Sequence, residues 1–186
     1  MDQYILLAKE AVENYIKNGE IISSPQNLPE EILKNKAGVF VTIEKDGELR
    51  GCIGTYLPTR INIAEEIIHN AVAAASEDYR FGQIKKNELP HLSYTVSILS
   101  YPESVKDLKT LDPKKFGIIV KTAPFAYPNE DVVFDGQVPF KSGLLLPDLP
   151  GVDSAEKQFL IACEKGQIDP EKEKVFIYRF TIEKHQ

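Results

Sequence analysis

The densest grouping of reactive residue types in this chain of 186 residues is the segment 49–55, Leu-Arg-Gly-Cys-Ile-Gly-Thr. It sets a guanidinium (Arg50), a thiol (Cys52) and a hydroxyl (Thr55) close together, with Gly51 and Gly54 among them. A thiol becomes a nucleophile where a neighbouring cation favours its thiolate, and Arg50 is two positions from Cys52. Glycines inside a strand weaken it and mark a bulge or the close approach of another backbone. The amides of Gly51 and Gly54 are also available to donate to an anion. A further cation, Arg80, lies in Asp78-Tyr79-Arg80-Phe81. If Arg80 and Arg50 converge on one cleft, the ligand expected there is a small anion; otherwise Arg80 pairs with Asp78 or a strand-end carbonyl.

The remaining chemistry is sparse. His69 falls on the polar side of a helical segment, His91 follows Pro90 at a strand start, and His185 belongs to a tail expected to fray. No His or Cys pair has metal-ligand spacing, so no metal site is expected; the sequence leaves any cofactor unknown. Glu65 and Glu66 are adjacent, hence about 100° apart on a helix, and read as a solvated acidic patch. Cys52 and Cys163 are far apart and read as reduced thiols.

The elements that must position these groups follow from periodicity. Residues 2–18 repeat apolar positions at helical spacing and end at Gly19. Residues 38–44 form a β-branched strand, followed by Asp46-Gly47, a hairpin turn. Counting outward from that turn pairs Lys45 with Glu48, Ile43 with Arg50, Val41 with Cys52 and Val39 with Gly54. Cys52 then shares a face with Val39, Val41 and Ile43, an apolar setting that keeps a thiol inert. This structural reading of Cys52 stands beside the nucleophilic one and is the better supported of the two.

Residues 60–77 form a second helix, 91–99 an alternating strand, 153–164 a third helix capped by Asp153, and 175–182 a final strand. Shorter strands are expected at 116–120 and 131–134, around a loop holding Pro124 and Pro128. Gly143 to Pro147 reads as an apolar plug. The predicted fold class is α+β, a mostly antiparallel sheet with about three helices, in two lobes. The smaller lobe would span about 102–150, and its groove against the sheet would hold a ligand.

Composition narrows the function classes. At 42% hydrophobic and 27% charged, the chain is globular rather than disordered. Its net charge of −6 opposes non-specific nucleic-acid binding, because the lysines of 106–121 are interrupted by Asp107 and Asp112. No apolar run reaches the ~20 residues of a membrane span, and no leader is evident, so a cytoplasmic location is expected.

Three motifs in order, LRGCIGT, Asp78-Tyr79-Arg80-Phe81 and Gly143-Leu-Leu-Leu-Pro147-Asp148, with Val96 to Ser100 in the intervening strand, resemble the signature of the AMMECR domain family. The resemblance covers roughly residues 4–182, so the whole chain reads as one AMMECR-type domain. It is nearest to members called AmmeMemoRadiSam system protein A. It implies a two-lobed α+β protein of unestablished activity, with a Memo-type protein and a radical SAM enzyme as pathway partners. Many members place Arg just before GLLLP, where this chain has Lys141-Ser142.

The leading expectation is a ligand-binding or Cys-dependent catalytic cleft at 49–55. Cys52 would act there as nucleophile or redox thiol, with Arg50, Gly51, Gly54, Thr55 and Arg80 binding an unknown small molecule. The rival is a non-enzymatic adaptor presenting the same segment as a rigid docking surface for another protein; separately, Tyr101, Phe125 and Tyr127 read either as an exposed apolar surface for a partner or as ordinary scattered aromatics. An RNA- or nucleotide-binding module ranks third.

Overall fold

Asp2 accepts the Tyr4 amide hydrogen at 2.8 Å, and Gly19, at φ 78°, donates to the Tyr15 carbonyl. Helix α1 therefore runs Gln3–Asn18, as its apolar spacing predicts. The computed structural model describes residues 2–123 and 140–186. The strand expected at 131–134, the loop prolines Pro124 and Pro128, and Phe125 and Tyr127 lie outside the described residues.

The chain divides into two compact units, one reaching Tyr101 and including Glu183–Gln186, the other Pro102–Ile182. In the first, α1 is followed by a short helix α2 (Glu30–Lys34), the hairpin strands β1 (Gly38–Lys45) and β2 (Glu48–Gly54), helix α3 (Ile63–Ser76), a 3-10 turn over Lys86–His91 and strand β3 (Leu92–Leu99). In the second, strands β4 (Glu103–Val105), β5 (Gly117–Lys121), β6 (Ser142–Leu145) and β7 (Phe176–Phe180) accompany helix α4 (Ala155–Lys165). The chain then enters β8 (Ile182–His185). Two four-stranded antiparallel sheets result, ordered β2-β1-β3-β8 and β4-β7-β5-β6, so the fold is α+β.

In the first sheet Val39, Val41 and Ile43 alternate inward and are fully buried. They meet Leu7 and Val12 of α1 and Ile67 and Ala71 of α3 in one core. The second core joins Ile118 and Val120 of β5, Leu145 of β6 and Ala162 and Cys163 of α4.

Several local expectations change. The pattern at 175–182 is two strands, β7 in the second sheet and β8 in the first. GLLLP supplies β6 rather than a plug. Ser154, not Asp153, caps α4 by accepting from the Lys157 amide, while the Asp153 carboxylate lies 3.6 Å from Lys157 Nζ. His185 is not frayed: its ring stacks on Tyr4 at 3.8 Å and Nδ1 is 2.7 Å from Asp2 Oδ2.

Each unit has one strand glycine where a helix backbone comes closest. A Cβ on Gly51 would overlap the Ala74 carbonyl oxygen of α3, and a Cβ on Gly143 would overlap the Ala162 carbonyl oxygen of α4. Neither obstacle is a flexible side chain, so the backbone itself must move. We predict that Gly51→Ala lowers stability by roughly 2–3 kcal/mol. Gly82→Ala, at a site with no atom within 4 Å of the added methyl, should stay within about 0.5 kcal/mol of the parent. Urea melts of the two variants check this, and equal midpoints would refute the close approach.

Candidate functional site

The turn residues Asp46 and Gly47 take positive φ values of 52° and 85°, as the hairpin demands. From there Lys45 pairs with Glu48 and Glu44 with Leu49, but Ile43 pairs with Gly51. Arg50 is thus the extra residue of a β-bulge. The pairings expected from the turn, Ile43 with Arg50, Val41 with Cys52 and Val39 with Gly54, are corrected to Ile43 with Gly51, Thr42 with Cys52 and Phe40 with Gly54. One inserted residue exchanges the faces of everything after it. Cys52 therefore leaves the face of Val39, Val41 and Ile43.

The bulged residue is held from outside the hairpin. Arg50 donates through Nε and Nη2 to the two carboxylate oxygens of Glu88, at 3.0 and 3.1 Å, and through Nη1 to the Gly82 carbonyl at 2.8 Å. Lys45 Nζ adds a contact to Glu88 at 3.4 Å. This bidentate pair is largely shielded from water, and the Arg50 hydrogen bonds hold the Glu88 carboxyl down to about 2.

Cys52 itself is fixed through its peptide. Its N–H donates to Asp78 Oδ2 at 2.9 Å, and its carbonyl accepts from Arg80 Nη2 at 3.4 Å. Asp78 is bound in turn by Arg80, with Nε to Oδ1 at 2.9 Å and Nη2 to Oδ2 at 2.6 Å. Arg80's hydrogen bonds hold the Asp78 carboxyl down to about 2. The Asp78/Arg80 pair thus occupies polar backbone groups on β2, the edge strand of its sheet. The Arg80 side chain remains 44% exposed.

The thiol lies in a row of polar side chains. Thr42 pairs with Cys52 on one side and Thr95 of β3 on the other, and Thr42 Oγ1 is 3.3 Å from Cys52 Sγ. Ser93 and Ser97 of β3 pair with Glu44 and Phe40 in the adjacent rows. Paired residues share a face. This face alternates with the one that packs on α1 and α3.

Beyond Cys52, Gly54 lies under the Phe40 ring, where a Cβ would also meet the Val39 carbonyl. Thr55 donates its hydroxyl to Glu66 at 2.7 Å. Glu66 is 1% exposed, which replaces the solvated patch expected of it. Its carboxylate also accepts from Thr59 N at 2.7 Å, Thr59 Oγ1 at 2.8 Å and Arg60 N at 2.8 Å. One α-helical turn later, Asn70 donates to the Val39 carbonyl at 2.9 Å. A buried carboxylate requires such donors to offset desolvation. Sequence reasoning missed Glu66, Asn70 and Glu88. The signal for the first two was their place in the stripe Ile63, Glu66, Ile67, Asn70, Ala71, Ala74, at core spacing.

Among the described residues no group of three His, Cys, Asp or Glu is arranged to hold a metal ion, and no helix is long and apolar enough to cross a membrane.

Comparison with known proteins gives consistent matches. The AMMECR1 family model matches residues 5–185. A Thermotoga maritima protein is 45% identical over 184 residues, covering 98% of this chain and 97% of its own length. Protein CA_C1420 of Clostridium acetobutylicum is 41% identical over 100% of this chain, which spans 36% of that protein's length. The crystal structure of uncharacterized protein PH0010 from Pyrococcus horikoshii superposes with a TM-score of 0.81 at 30% identity, covering 97% of this chain and 88% of that one.

Asp78 and Glu88 both have folded-state values below their ordinary 3.8 and 4.5. Depressed carboxyls stabilise the fold fully above their unfolded values, and that contribution is lost as pH falls from about 4.5 towards 2. We predict that Glu88→Gln costs on the order of 2 kcal/mol at pH 7 and much less near pH 2. Denaturant unfolding of parent and variant across this range checks it; a constant difference would refute it.

Proposed function

Because the chain belongs to the AMMECR1 family, we propose that its working surface is the Cys52 edge of the first sheet, where it binds a small anionic molecule. Cys52 is the group that meets the ligand as nucleophile or redox thiol, and Arg80 is the cation beside it. The observation that carries this reading is the bulge at Arg50, which turns the thiol out of the apolar core and into the row with Thr42 and Thr95. The Asp78/Arg80 clamp on both polar groups of its peptide adds rigidity. Preorganised placement of this kind is what a reacting or recognising group requires. Arg50, Gly51, Gly54 and Thr55 act as positioning residues in this proposal. Arg50 and Thr55 tie β2 to Glu88 and Glu66, while the glycines admit Ala74 and Phe40.

Arg80 supplies the charge on which ligand class depends. Its pKa is raised first by the Asp78 hydrogen bond. Its Nη2 donates to the Cys52 carbonyl at 3.4 Å, so the guanidinium sits against the residue that bears the thiol. The pathway setting we propose is the one the family resemblance implies, beside a Memo-type protein and a radical SAM enzyme, in the cytoplasm.

A second reading, a docking face for another protein, is favoured by the Clostridium relative. There the counterpart of this chain is about a third of a longer polypeptide, the arrangement expected of a domain that works beside another. The exposed Tyr79, at 94%, stands between the two clamp residues and suits such a contact.

Alkylation tests the first reading. In the native protein near neutral pH, iodoacetamide is expected to label Cys52 promptly. Cys163, buried in α4 and with its thiol pushed up by burial, should react only after denaturation. Arg80→Gln should slow iodoacetate, which carries a charge, several-fold more than iodoacetamide. Protection of Cys52 equal to that of Cys163 would end the proposal. Retention of partner binding by Cys52→Ala would favour the docking reading instead.

A further inference from the structure

The four arginines of the chain do not share one fate. Arg50 pairs with Glu88, Arg80 with Asp78 and Arg179 with Glu103, each within 3.1 Å. Arg60 has no carboxylate partner among the described residues. Its side chain is exposed, yet its backbone is anchored, because its N–H and that of Thr59 both donate to buried Glu66. Three residues on, the Ile63 amide donates to the Asn35 carbonyl at 2.9 Å, which fixes Lys36 beside the same loop. Ile61, between these anchors, is 73% exposed.

These tied segments enclose an open cleft of about 580 Å³ lined by Lys36, Pro58, Arg60, Ile61, Glu65 and His69, among others. Lys36 and Arg60 are the basic side chains of the lining. Glu65 is the carboxylate in the lining, and it lies 3.8 Å from His69 Nε2 on the same helix. Glu66 lies underneath, but its oxygens are turned inward onto four donors. Pro58 and Ile61 give the cleft an apolar wall. A guanidinium with no carboxylate partner among the described residues, carried on an anchored backbone, together with a second cation and an exposed branched aliphatic side chain, is what an organic oxyanion would engage at once.

We infer that this cleft, separate from the Cys52 row, is a binding site for an organic oxyanion, a phosphate or carboxylate carried on an apolar body. The anionic end sits between Arg60 and Lys36, and the apolar body lies against Ile61 and Pro58. The rigid loop is the reason for keeping Glu66 buried: the carboxylate holds Arg60 and Ile61 where a ligand finds them.

The test is a titration of the isotope-labelled chain with phenyl phosphate at low ionic strength, read by amide chemical shifts. Saturable shifts confined to Lys36, the 58–61 loop and the start of α3 are expected, with weaker binding of inorganic phosphate and none of phenol. A double variant, Lys36→Gln with Arg60→Gln, should fold normally because both side chains are exposed and have no carboxylate partner among the described residues, and should bind at least tenfold more weakly. Four results would overturn the site: no saturable shift, shifts mapping elsewhere, equal affinity in the double variant, or inorganic phosphate binding as tightly as phenyl phosphate. Competing benzoate distinguishes the two oxyanions, since displacement of phenyl phosphate supports the shared chemistry and a failure to displace restricts the site to phosphate.

Discussion

A β-bulge survives only if the surroundings hold the residue that the ladder leaves out. At Arg50 that residue is a guanidinium with hydrogen bonds from three nitrogens, two to Glu88 and one to the Gly82 carbonyl. Carboxylate and carbonyl come from the segment between α3 and β3, so the turn at the end of the hairpin and the entry to the next strand are fastened at one point. Everything downstream in β2 takes its facing from this fastening. Gly51 turns towards α3, Cys52 turns away from it, Ile53 returns to the core side, and Gly54 meets Phe40.

The second half of the arrangement comes from α3. This helix is buried on most of its circumference, and its alanines allow β2 to approach its backbone directly. Close packing of that kind leaves no room for water to serve polar groups near the interface. Glu66 supplies acceptors for the loop that leaves β2, and Asn70 adds a second donor to the Val39 carbonyl, which already accepts from the Thr55 amide. Charge is thus buried where loop geometry must be rigid, and the hydrogen bonds offset its desolvation.

Local periodicity was enough for the elements nearest to this site. α1, β1, the Asp46-Gly47 turn and α3 follow from spacing and caps, because those signals involve residues a few positions apart. The register beyond Leu49 was not legible, because it depends on a carboxylate 38 residues downstream of Arg50. Strict counting from the turn is the correct inference when nothing intrudes, and here a distant residue does. Glu66 was misread for a related reason: its adjacency to Glu65 suggests a charged surface, while its helical phase puts it with Ile63, Ile67 and Asn70. Phase decides burial on a helix, and chain adjacency does not. The break between β7 and β8 at Thr181 was hidden because apolar alternation continues through it.

The motif glycines now have a physical account that does not involve a ligand. Gly51 in the first unit and Gly143 in the second each face a helical alanine carbonyl, Ala74 or Ala162, that any larger residue would strike. The same device recurs in two separate sheets that share no strand, so LRGCIGT and GLLLP read first as helix-on-sheet contact points. Packing accounts for Gly51, Gly54 and Gly143, and ion pairing and hydrogen bonding account for Arg50 and Thr55. The groups left over are those for which neither gives a full reason: the Cys52 thiol in a polar row, the half-exposed Arg80, the projecting Tyr79 and the Arg60 guanidinium, which has no carboxylate partner among the described residues. A stable fold does not require the last two at all, and chemistry or recognition has to be sought among these four rather than in the motif as a whole.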